Sequence, residues 1–259
     1  MPAAASELRQ ELRRLALVGS ALLAGLTVCV ALLADTEQAL RWLLPALACW
    51  CFVLWRCRSG LHLNLSLDTE KRFARLGQGN RLTLWRGLLI AFTAGFLAVD
   101  RQTALALAYL PALLYTGAAI GDALDGYLAR REGQSTKLGR QLDNELDALG
   151  LLVAPLLAIL FGKLHISYLL VSIAYYLFRW GLYWRHAHDK PVYPLPPSRI
   201  RRQLAGWQMA LVATSLWPPV SAEVTRLLGI LFMLPLLAGF IIDWLHVSGR
   251  RGAKAGAET

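Results

Sequence analysis

Four aspartates lie within mostly apolar sequence, and their spacing could bring them together for metal chemistry. Asp122 and Asp125 are three residues apart, and Asp143 and Asp147 are four apart, so each pair shares one face of a helix. Carboxylates within apolar segments are costly and usually functional, and four close together repel strongly. Protonation or a bound cation must offset this repulsion. Oxygen ligands alone favour Mg²⁺, with Mn²⁺ or Ca²⁺ as alternatives, and two such ions can clamp a phosphoryl displacement.

Two glycines and an arginine accompany the acidic pairs. Gly126 follows Asp125 directly, and Gly139 lies one turn before Asp143. Each glycine removes a side chain beside an acidic row, so a bulky ligand such as a nucleotide could approach the helix. Arg130 suits a diphosphate, because a guanidinium binds phosphate through paired N–H groups. Simple ion pairing of each aspartate with a nearby basic residue explains this combination less well than a cation site does.

The elements that carry these residues are predicted to be membrane-spanning helices. The chain has 259 residues, of which 56% are hydrophobic, and its mean hydropathy is +0.44. Apolar segments of membrane length predict an all-α integral membrane protein of about eight spans: residues 15–34, 40–55, 83–99, 103–129, 142–164, 166–184, 204–217 and 227–247. A short turn over 131–141 makes the fourth and fifth spans antiparallel neighbours, so their acidic rows can face each other.

The basic residues predict the orientation of these spans. The net charge is +10, but most Lys and Arg lie in the N-terminal tail, the C-terminal tail and the loops 56–86, 130–140 and 185–202. This asymmetry follows the positive-inside rule. It places both termini and the acidic cluster at the cytoplasmic side of the inner (plasma) membrane, and it removes the need to invoke nucleic acid.

The chain is predicted to divide into four parts. Residues 1–57 form a transmembrane hairpin, 58–79 a cytoplasmic linker, 80–247 a catalytic core and 248–259 a disordered basic tail. In the linker, residues 68–76 have acidic residues first and basic residues later, which suits the helix dipole. They predict a short amphipathic helix lying on the membrane surface, with a solvated linker helix as the alternative.

The acidic constellation resembles the signature of the CDP-alcohol phosphotransferases, D-x-x-D-G-x-x-A-R-x8-G-x3-D-x3-D. All of its fixed positions are present: Asp122, Asp125, Gly126, Ala129, Arg130, Gly139, Asp143 and Asp147. The segment Asn80–Arg86 is similar to the N-x-L-T-x-x-R that opens the family's first core helix. The resemblance covers residues 66–247 and implies a six-helix core, to which the first hairpin is an addition.

The resemblance also implies an activity. Such an enzyme takes a CDP-alcohol, usually CDP-diacylglycerol, transfers its phosphoalcohol group to a small alcohol acceptor and releases CMP. It implies that Asp122 and Asp143 contact both metal ions, Asp125 the first, and Asp147 the second. Asp147 would also be the catalytic base. The CDP-lipid site would be lined by Asn80, Thr83, Gly126, Arg130, Thr136 and Gly139, and the enzyme would be a homodimer.

The acceptor alcohol stays open at this point. Arg199, Arg201 and Arg202 form a basic cluster that could hold an acceptor's phosphate, as could Arg179 in the sixth span, although positive-inside charge explains the cluster equally well. Gln208 and Met209 are faintly similar to phosphatidylglycerophosphate synthases, but the adjoining basic pattern departs from theirs. Glycerol 3-phosphate, an inositol phosphate, serine and other alcohols all remain candidates.

Two other functions are compatible with intramembrane carboxylates. One is a divalent-cation transporter or channel, and the other is a catalytically inactive protein of the same fold. A transporter favours acidic residues spread through the membrane, whereas here they cluster at one end, and a cation path gains nothing from Arg130. Intact acids argue against the inactive protein.

Overall fold

The computed structural model describes residues 2–196 and 198–250, apart from the side chains of residues 2–5, 199 and 202. Nine α-helices run along these residues: α1 (Pro2–Leu33), α2 (Thr36–Gly60), α3 (Gly77–Gly95), α4 (Arg101–Ala106), α5 (Tyr109–Arg131), α6 (Lys137–Leu160), α7 (Leu169–Ala187), α8 (Arg199–Ser215) and α9 (Ala222–Val247). Two 3₁₀ turns, Leu61–Leu63 and Ile166–Tyr168, join them. Within the described ranges, β-pairing is limited to two isolated bridges. The all-α prediction is confirmed.

Three of the helical segments are long and apolar enough to cross a membrane by themselves. These are Ser6–Leu33, Thr36–Leu63 and Ala222–Val247. Each of the eight predicted spans is covered for most of its length by one helix. The protein is therefore an all-α membrane protein, and the number of eight spans stays a prediction.

The fourth predicted span, residues 103–129, is wrong as a single helix because the chain breaks it after Ala106. Asp100 caps the short helix α4 by accepting a hydrogen bond from the Thr103 N–H at 2.8 Å. Helix α5 then begins at Tyr109, with Pro111 in its first turn. Proline has no N–H to continue the hydrogen-bond ladder from the preceding turn, but it fits the first turn of a new helix. The signal for the break was therefore present in the sequence.

The amphipathic helix predicted over residues 68–76 is also wrong. Asn64 reaches across this segment and donates from Nδ2 to the carbonyls of Phe73 and Arg75, at 3.0 and 2.9 Å. Ser66 N–H donates to the Lys71 carbonyl at 2.8 Å, which closes a turn with Glu70 at φ +55°. Side-chain hydrogen bonds to the backbone thus compete successfully with the helix. The linker folds into a compact turn.

This turn is attached to the start of α6. The Lys137 N–H donates to the Leu65 carbonyl at 2.9 Å, and Lys137 Nζ lies 2.8 Å from Glu70 Oε1. The hydrogen bond and charge of Lys137 hold the pKa of the Glu70 carboxyl below its usual value. The linker is thereby fastened beside the loop that leads into the second acidic helix.

The N-terminal hairpin packs directly on α3. Trp42 of α2 is fully buried, with its ring centroid 5.9 Å from that of Phe92 and 6.2 Å from that of Phe96. A Cβ at Gly95 would lie 2.3 Å from Nε1 of Trp42, so only glycine allows this contact. The hairpin and the remaining helices share one hydrophobic cluster, and their division into separate domains stays a prediction.

The boundaries of the predicted parts shift slightly with the helices. Helix α2 continues to Gly60, and α3 begins at Gly77. The predicted basic tail, residues 248–259, is described only as far as residue 250. Residues 251–259 lie outside the described part of the chain.

Helix α3 packs closely against α5, the helix that carries Asp122 and Asp125. A Cβ at Gly79 would lie 2.8 Å from the Cβ of Ala129 and 3.1 Å from the Asp125 carbonyl oxygen. The short connection after Arg131 then returns the chain as α6, whose N-cap Thr136 accepts a hydrogen bond from Gly139 N–H at 2.9 Å. This cap fixes where α6 starts, and α6 then packs against α3.

Candidate active site

The four aspartates meet around one buried side chain, the guanidinium of Arg86. Its Nη1 lies 2.6 Å from Asp122 Oδ1, 2.8 Å from Asp143 Oδ1 and 3.4 Å from Asp125 Oδ2. Its Nη2 contacts Asp147 Oδ1. The two predicted acidic rows, on α5 and α6, therefore face each other with the α3 arginine between them.

Three of these carboxylates are open and one is enclosed. The side chains of Asp122, Asp143 and Asp147 are 33%, 45% and 43% exposed, whereas that of Asp125 is 8% exposed. Asp125 also accepts a hydrogen bond from Thr83 Oγ1 at 2.9 Å. Asp125 thus links the acidic cluster to α3, and the three open carboxylates are the ones that a soluble ion or substrate can reach.

The residue pattern places Arg86 at the end of the N-x-L-T-x-x-R segment without a role in the site, and the charge distribution counts it among the basic residues of a cytoplasmic loop. That assignment is wrong, because Arg86 lies within α3 and its side chain is only 1% exposed. An arginine three residues after Thr83 on an apolar helix is itself an intramembrane charge that needs a partner. This signal, read beside the aspartates, could have identified it.

The donor set fits a divalent cation. One carboxylate oxygen from each of Asp122, Asp143 and Asp147 can be chosen so that all three lie within 4.8 Å of one another. The ligands offered here are carboxylate oxygens, which hard cations such as Mg²⁺ and Mn²⁺ prefer. Four carboxylates and one guanidinium leave a formal charge of −3 at the cluster. Arg86 therefore offsets only part of the repulsion, and added positive charge remains favourable.

A pocket of about 240 Å³ adjoins the acidic cluster on its Asp125 and Asp143 side. All six residues that the resemblance assigned to the CDP-lipid site line it: Asn80, Thr83, Gly126, Arg130, Thr136 and Gly139. Ser135 and Arg140 line it as well. These two were not among the predicted site residues, although Arg140 lies only three residues before Asp143.

The floor of this pocket is a buried hydrogen-bond network between α3 and the cap of α6. Nδ2 of Asn80 donates to the Leu76 carbonyl at 2.8 Å and lies 3.1 Å from Thr136 Oγ1. The Asn64 carboxamide oxygen accepts from the same Nδ2 at 3.3 Å. Both Asn80 and Thr136 are nearly fully buried. Their polar groups therefore have defined orientations before any ligand arrives.

The two glycines of the signature have different surroundings. A Cβ at Gly139 would lie 2.5 Å from Asn80 Oδ1, so this glycine is needed for the packing of α6 against α3. A Cβ at Gly126 would meet only the Arg130 guanidinium, at 3.2 Å from Nη1. The prediction that both glycines clear space for a ligand thus describes Gly126 better than Gly139.

Arg130 lines the pocket, and its positive charge is not paired with a described carboxylate. Among the described residues, no carboxylate lies within ion-pair distance of its guanidinium, although Asp125 and Asp143 line the same pocket. Arg130 and Arg140 therefore add two positive charges to a pocket whose other side is acidic. This arrangement suits a diphosphate lying between arginines and aspartate-bound cations.

The arginines predicted for an acceptor phosphate are not brought together with the aspartates in the same way. Arg179 lies 3.9 Å from Glu145 Oε1 and hydrogen-bonds to Tyr175 Oη at 3.5 Å. Arg201 pairs with Asp243 of α9 at 3.3 Å. Arg199 and Arg202 belong to α8, but their side chains lie outside the described part of the chain. None of the described contacts joins these arginines to the acidic cluster.

Comparison with known proteins gives one finding. A family model described as CDP-alcohol phosphatidyltransferase matches residues 78–245, about two thirds of the chain. The matched range contains the four aspartates, Arg86 and every predicted residue of the adjoining pocket. No curated protein and no solved structure matches the chain.

Proposed function

The chain belongs to the CDP-alcohol phosphatidyltransferase family, whose members are membrane enzymes that transfer substituted phosphate groups, and we propose that its donor is CDP-diacylglycerol. It transfers the phosphatidyl group to a small alcohol acceptor and releases CMP. Glycerol 3-phosphate, an inositol phosphate and serine are the acceptors to test first. The family depends generally on divalent metal. We propose two Mg²⁺ ions, replaceable by Mn²⁺, held by Asp122, Asp125, Asp143 and Asp147.

The observation that carries this proposal is the juxtaposition of the acidic cluster with the adjoining pocket of about 240 Å³. Asp125 and Asp143 belong to both the cluster around Arg86 and the wall of the pocket. A diphosphate in that pocket would therefore have its phosphates beside the aspartates. Asn80 and Thr136 would present polar groups to the cytidine, and Arg130 a guanidinium to the diphosphate.

The proposed reaction is a single in-line displacement at the phosphorus that carries the diacylglycerol. The acceptor oxygen forms a bond to this phosphorus, the bond to the CMP oxygen breaks, and the acceptor's proton passes to a carboxylate oxygen of Asp147. When bound, the divalent ions would neutralise the diphosphate and the departing CMP. Arg86, held within hydrogen-bond reach of Asp147 and Asp143, orients both carboxylates.

The membrane placement is part of the proposal. Eight spans, with both termini in the cytoplasm, put the acidic cluster at the inner face of the plasma membrane, where CDP-linked lipids and soluble acceptors can both reach it. The three apolar helices and the asymmetry of the basic residues support this placement. We also propose that the enzyme is a homodimer, which cross-linking in native membranes would test.

The cation-transporter alternative has less support. A transport path gains from carboxylates that face an open route across the membrane. Here the acids converge on one buried guanidinium and do not line such a route. The acids also adjoin a pocket lined by Arg130 and Arg140, which favours an anionic ligand.

The test is CMP release by the purified protein. CDP-diacylglycerol labelled in the cytidine is supplied with Mg²⁺ and each acceptor in turn, and labelled CMP is measured. We expect Mg²⁺-dependent release with at least one acceptor, no release from Asp143→Asn, and normal release from Asp68→Asn, an exposed aspartate of the linker. Wild-type rates from Asp143→Asn, or release that survives chelation of all divalent metal, would contradict the proposal.

A further inference from the structure

A basic groove lies between the two helices of the N-terminal hairpin, away from the acidic cluster. Its volume is about 800 Å³, and residues of both α1 and α2 line it. The rim carries four basic side chains: Arg9, Arg13, Arg58 and His62. Its walls are largely apolar and include Leu12, Ala16, Cys51, Leu54, Trp55 and Leu61. Among the residues that the structure describes, no acidic residue lines it.

The arginines of this groove differ from the neighbouring arginines in having no partner. Arg56 pairs with Glu145 at 2.5 Å, and Arg81 pairs with Glu11 at 2.6 Å. By contrast, the guanidinium groups of Arg9, Arg13 and Arg58 take part in no ion pair or hydrogen bond with any described residue. Three like charges around one groove repel one another, so a bound anion would stabilise their arrangement.

The groove also has the membrane geometry of a lipid site. Both of its walls belong to segments that can cross a membrane, Ser6–Leu33 and Thr36–Leu63. Trp55 is 58% exposed, as is typical of a tryptophan at the membrane–water interface. The lining of the groove is basic at one end and apolar at the other. It changes along α1 from Arg9 to Ala16, and along α2 from Arg58 back to Cys51. A ligand that fits has an anionic end and an apolar end.

The basic end of the groove lies on the same side of the molecule as the candidate active site. Glu11 of α1 accepts a hydrogen bond from Leu76 N–H at 3.0 Å and pairs with Arg81 near the start of α3. Asn80 and Thr83, which line the pocket beside the acidic cluster, belong to that same first part of α3. The rim arginines therefore lie at the same end of the helices as the candidate active site.

From these observations we propose that the groove between α1 and α2 binds an anionic phospholipid. The phosphate of the head group lies among Arg9, Arg13 and Arg58, and an acyl chain runs along the apolar wall formed by Ala16 and Leu54. Basic grooves between transmembrane helices at the cytoplasmic side favour such lipids. The site belongs to the hairpin that precedes the family's matched region, residues 78–245, so it is separate from the CDP-lipid site.

The test is native mass spectrometry of the full-length protein in detergent, titrated with phosphatidylglycerol or with phosphatidylcholine of the same acyl chains. The variant Arg9→Gln/Arg13→Gln/Arg58→Gln removes the three charges. The control Arg14→Gln/Arg72→Gln/Arg75→Gln removes the same charge from exposed arginines that do not line the groove. We expect the groove variant to bind phosphatidylglycerol at least about tenfold more weakly than wild type, and the control to bind it normally.

A second variant separates loss of binding from loss of folding. Cys51→Trp keeps all the charges and fills the groove from an exposed position on its wall, and it should weaken phosphatidylglycerol binding while leaving binding of phosphatidylcholine unchanged. Equal losses in the groove variant and the charge-matched control would overturn the proposal, because general positive charge would then suffice. Displacement of the bound lipid by millimolar inorganic phosphate would also overturn it, since the occupant would be a soluble anion.

Discussion

Replacement of Arg86 by methionine is the change that most sharply tests the electrostatics of the acidic cluster. Arg86→Met keeps an apolar side chain of similar length in α3 but removes the only positive charge among four aspartates in the described part of the site. At 2.8 Å from Asp143, and with an effective dielectric constant of about 20, one such contact is worth about 6 kcal/mol before desolvation.

Desolvation of the buried guanidinium offsets much of this attraction. Removing one partner of a buried ion pair costs about 3–5 kcal/mol in measured cases, because the remaining charges are left without compensation. Three of the four aspartates are one third or more exposed, which places the expected loss toward the lower end of that range. For a protein of this size the loss corresponds to a fall in Tm on the order of 10 °C.

The assay is thermal unfolding of the purified protein in detergent, followed by tryptophan fluorescence with chelator and across a Mg²⁺ titration. We expect Arg86→Met to be destabilised in chelator and to gain more stability from Mg²⁺ than wild type does, because the more negative cluster binds cations more tightly. Arg81→Met is the matched control, since Arg81 is on the same helix but 45% exposed. It should cost about 1 kcal/mol or less and leave the Mg²⁺ response unchanged.

Two results would refute this reasoning. Arg86→Met could be as stable as wild type in chelator, which would mean that the aspartates do not need the guanidinium. Alternatively, the variant could lose stability but show the same Mg²⁺ response as wild type. In that case Arg86 would be a packing residue, and the carboxylates around it would not form a cation site.

Three further predictions concern the site residues individually. Asp147→Asn should lower the rate of CMP release by about 10²-fold or more, because no base is then present to accept the acceptor's proton. The measurement is the initial rate at saturating CDP-diacylglycerol. Gly139→Ala should lower the free energy of unfolding by about 1–3 kcal/mol, since its Cβ would lie 2.5 Å from Asn80 Oδ1. Gly126→Ala should instead keep normal thermal stability, because its Cβ meets the Arg130 guanidinium, and it should raise the KM for CDP-diacylglycerol. Equal losses of stability in Gly139→Ala and Gly126→Ala would contradict the different surroundings of the two glycines. Labelled CMP should not exchange into CDP-diacylglycerol in the absence of acceptor, because a single displacement forms no covalent intermediate, and rapid exchange would contradict it.

The parts of the site that are local in sequence could be predicted well. Asp122 and Asp125 are three residues apart, and Asp143 and Asp147 four apart, so helical geometry alone aligns each pair. The prediction that the helices carrying these pairs are direct neighbours is wrong, because α5 and α6 each pack mainly against α3 and not against each other. The acidic rows meet because both helices present them to Arg86 of α3.

The N-x-L-T-x-x-R segment includes Arg86 but does not predict its role in the site, because its contacts are distant in sequence. Its ion pairs join it to residues 36 to 61 positions later in the chain, and helical periodicity carries no information at that range. The close approach of α3 and α5 at Gly79 and Ala129 makes the contact possible. A single glycine in the sequence does not reveal which helix packs against it.

The two errors in secondary structure have a different origin. In the linker, the charge pattern of residues 68–76 favours a helix, but Asn64 hydrogen-bonds to the carbonyls of Phe73 and Arg75 and stabilises a turn instead. In the fourth predicted span, continuous apolar character concealed the break between Ala106 and Tyr109, where Pro111 lies in the first turn of the new helix. Hydrophobicity locates apolar segments, whereas caps and prolines decide where helices start and stop.

The central claim is that aspartates from α5 and α6 jointly hold divalent cations beside the pocket that Asn80, Thr136 and Arg130 line. Electron paramagnetic resonance of the purified protein titrated with Mn²⁺ in the presence of CDP tests it most directly, because two manganese ions sharing carboxylates give a spin-coupled signal. We predict two coupled Mn²⁺ ions per chain in wild type, and loss of the coupled signal in Asp143→Asn but not in Asp68→Asn. A wild-type protein that binds no Mn²⁺, or an Asp143→Asn variant that retains the coupled pair, would contradict the claim.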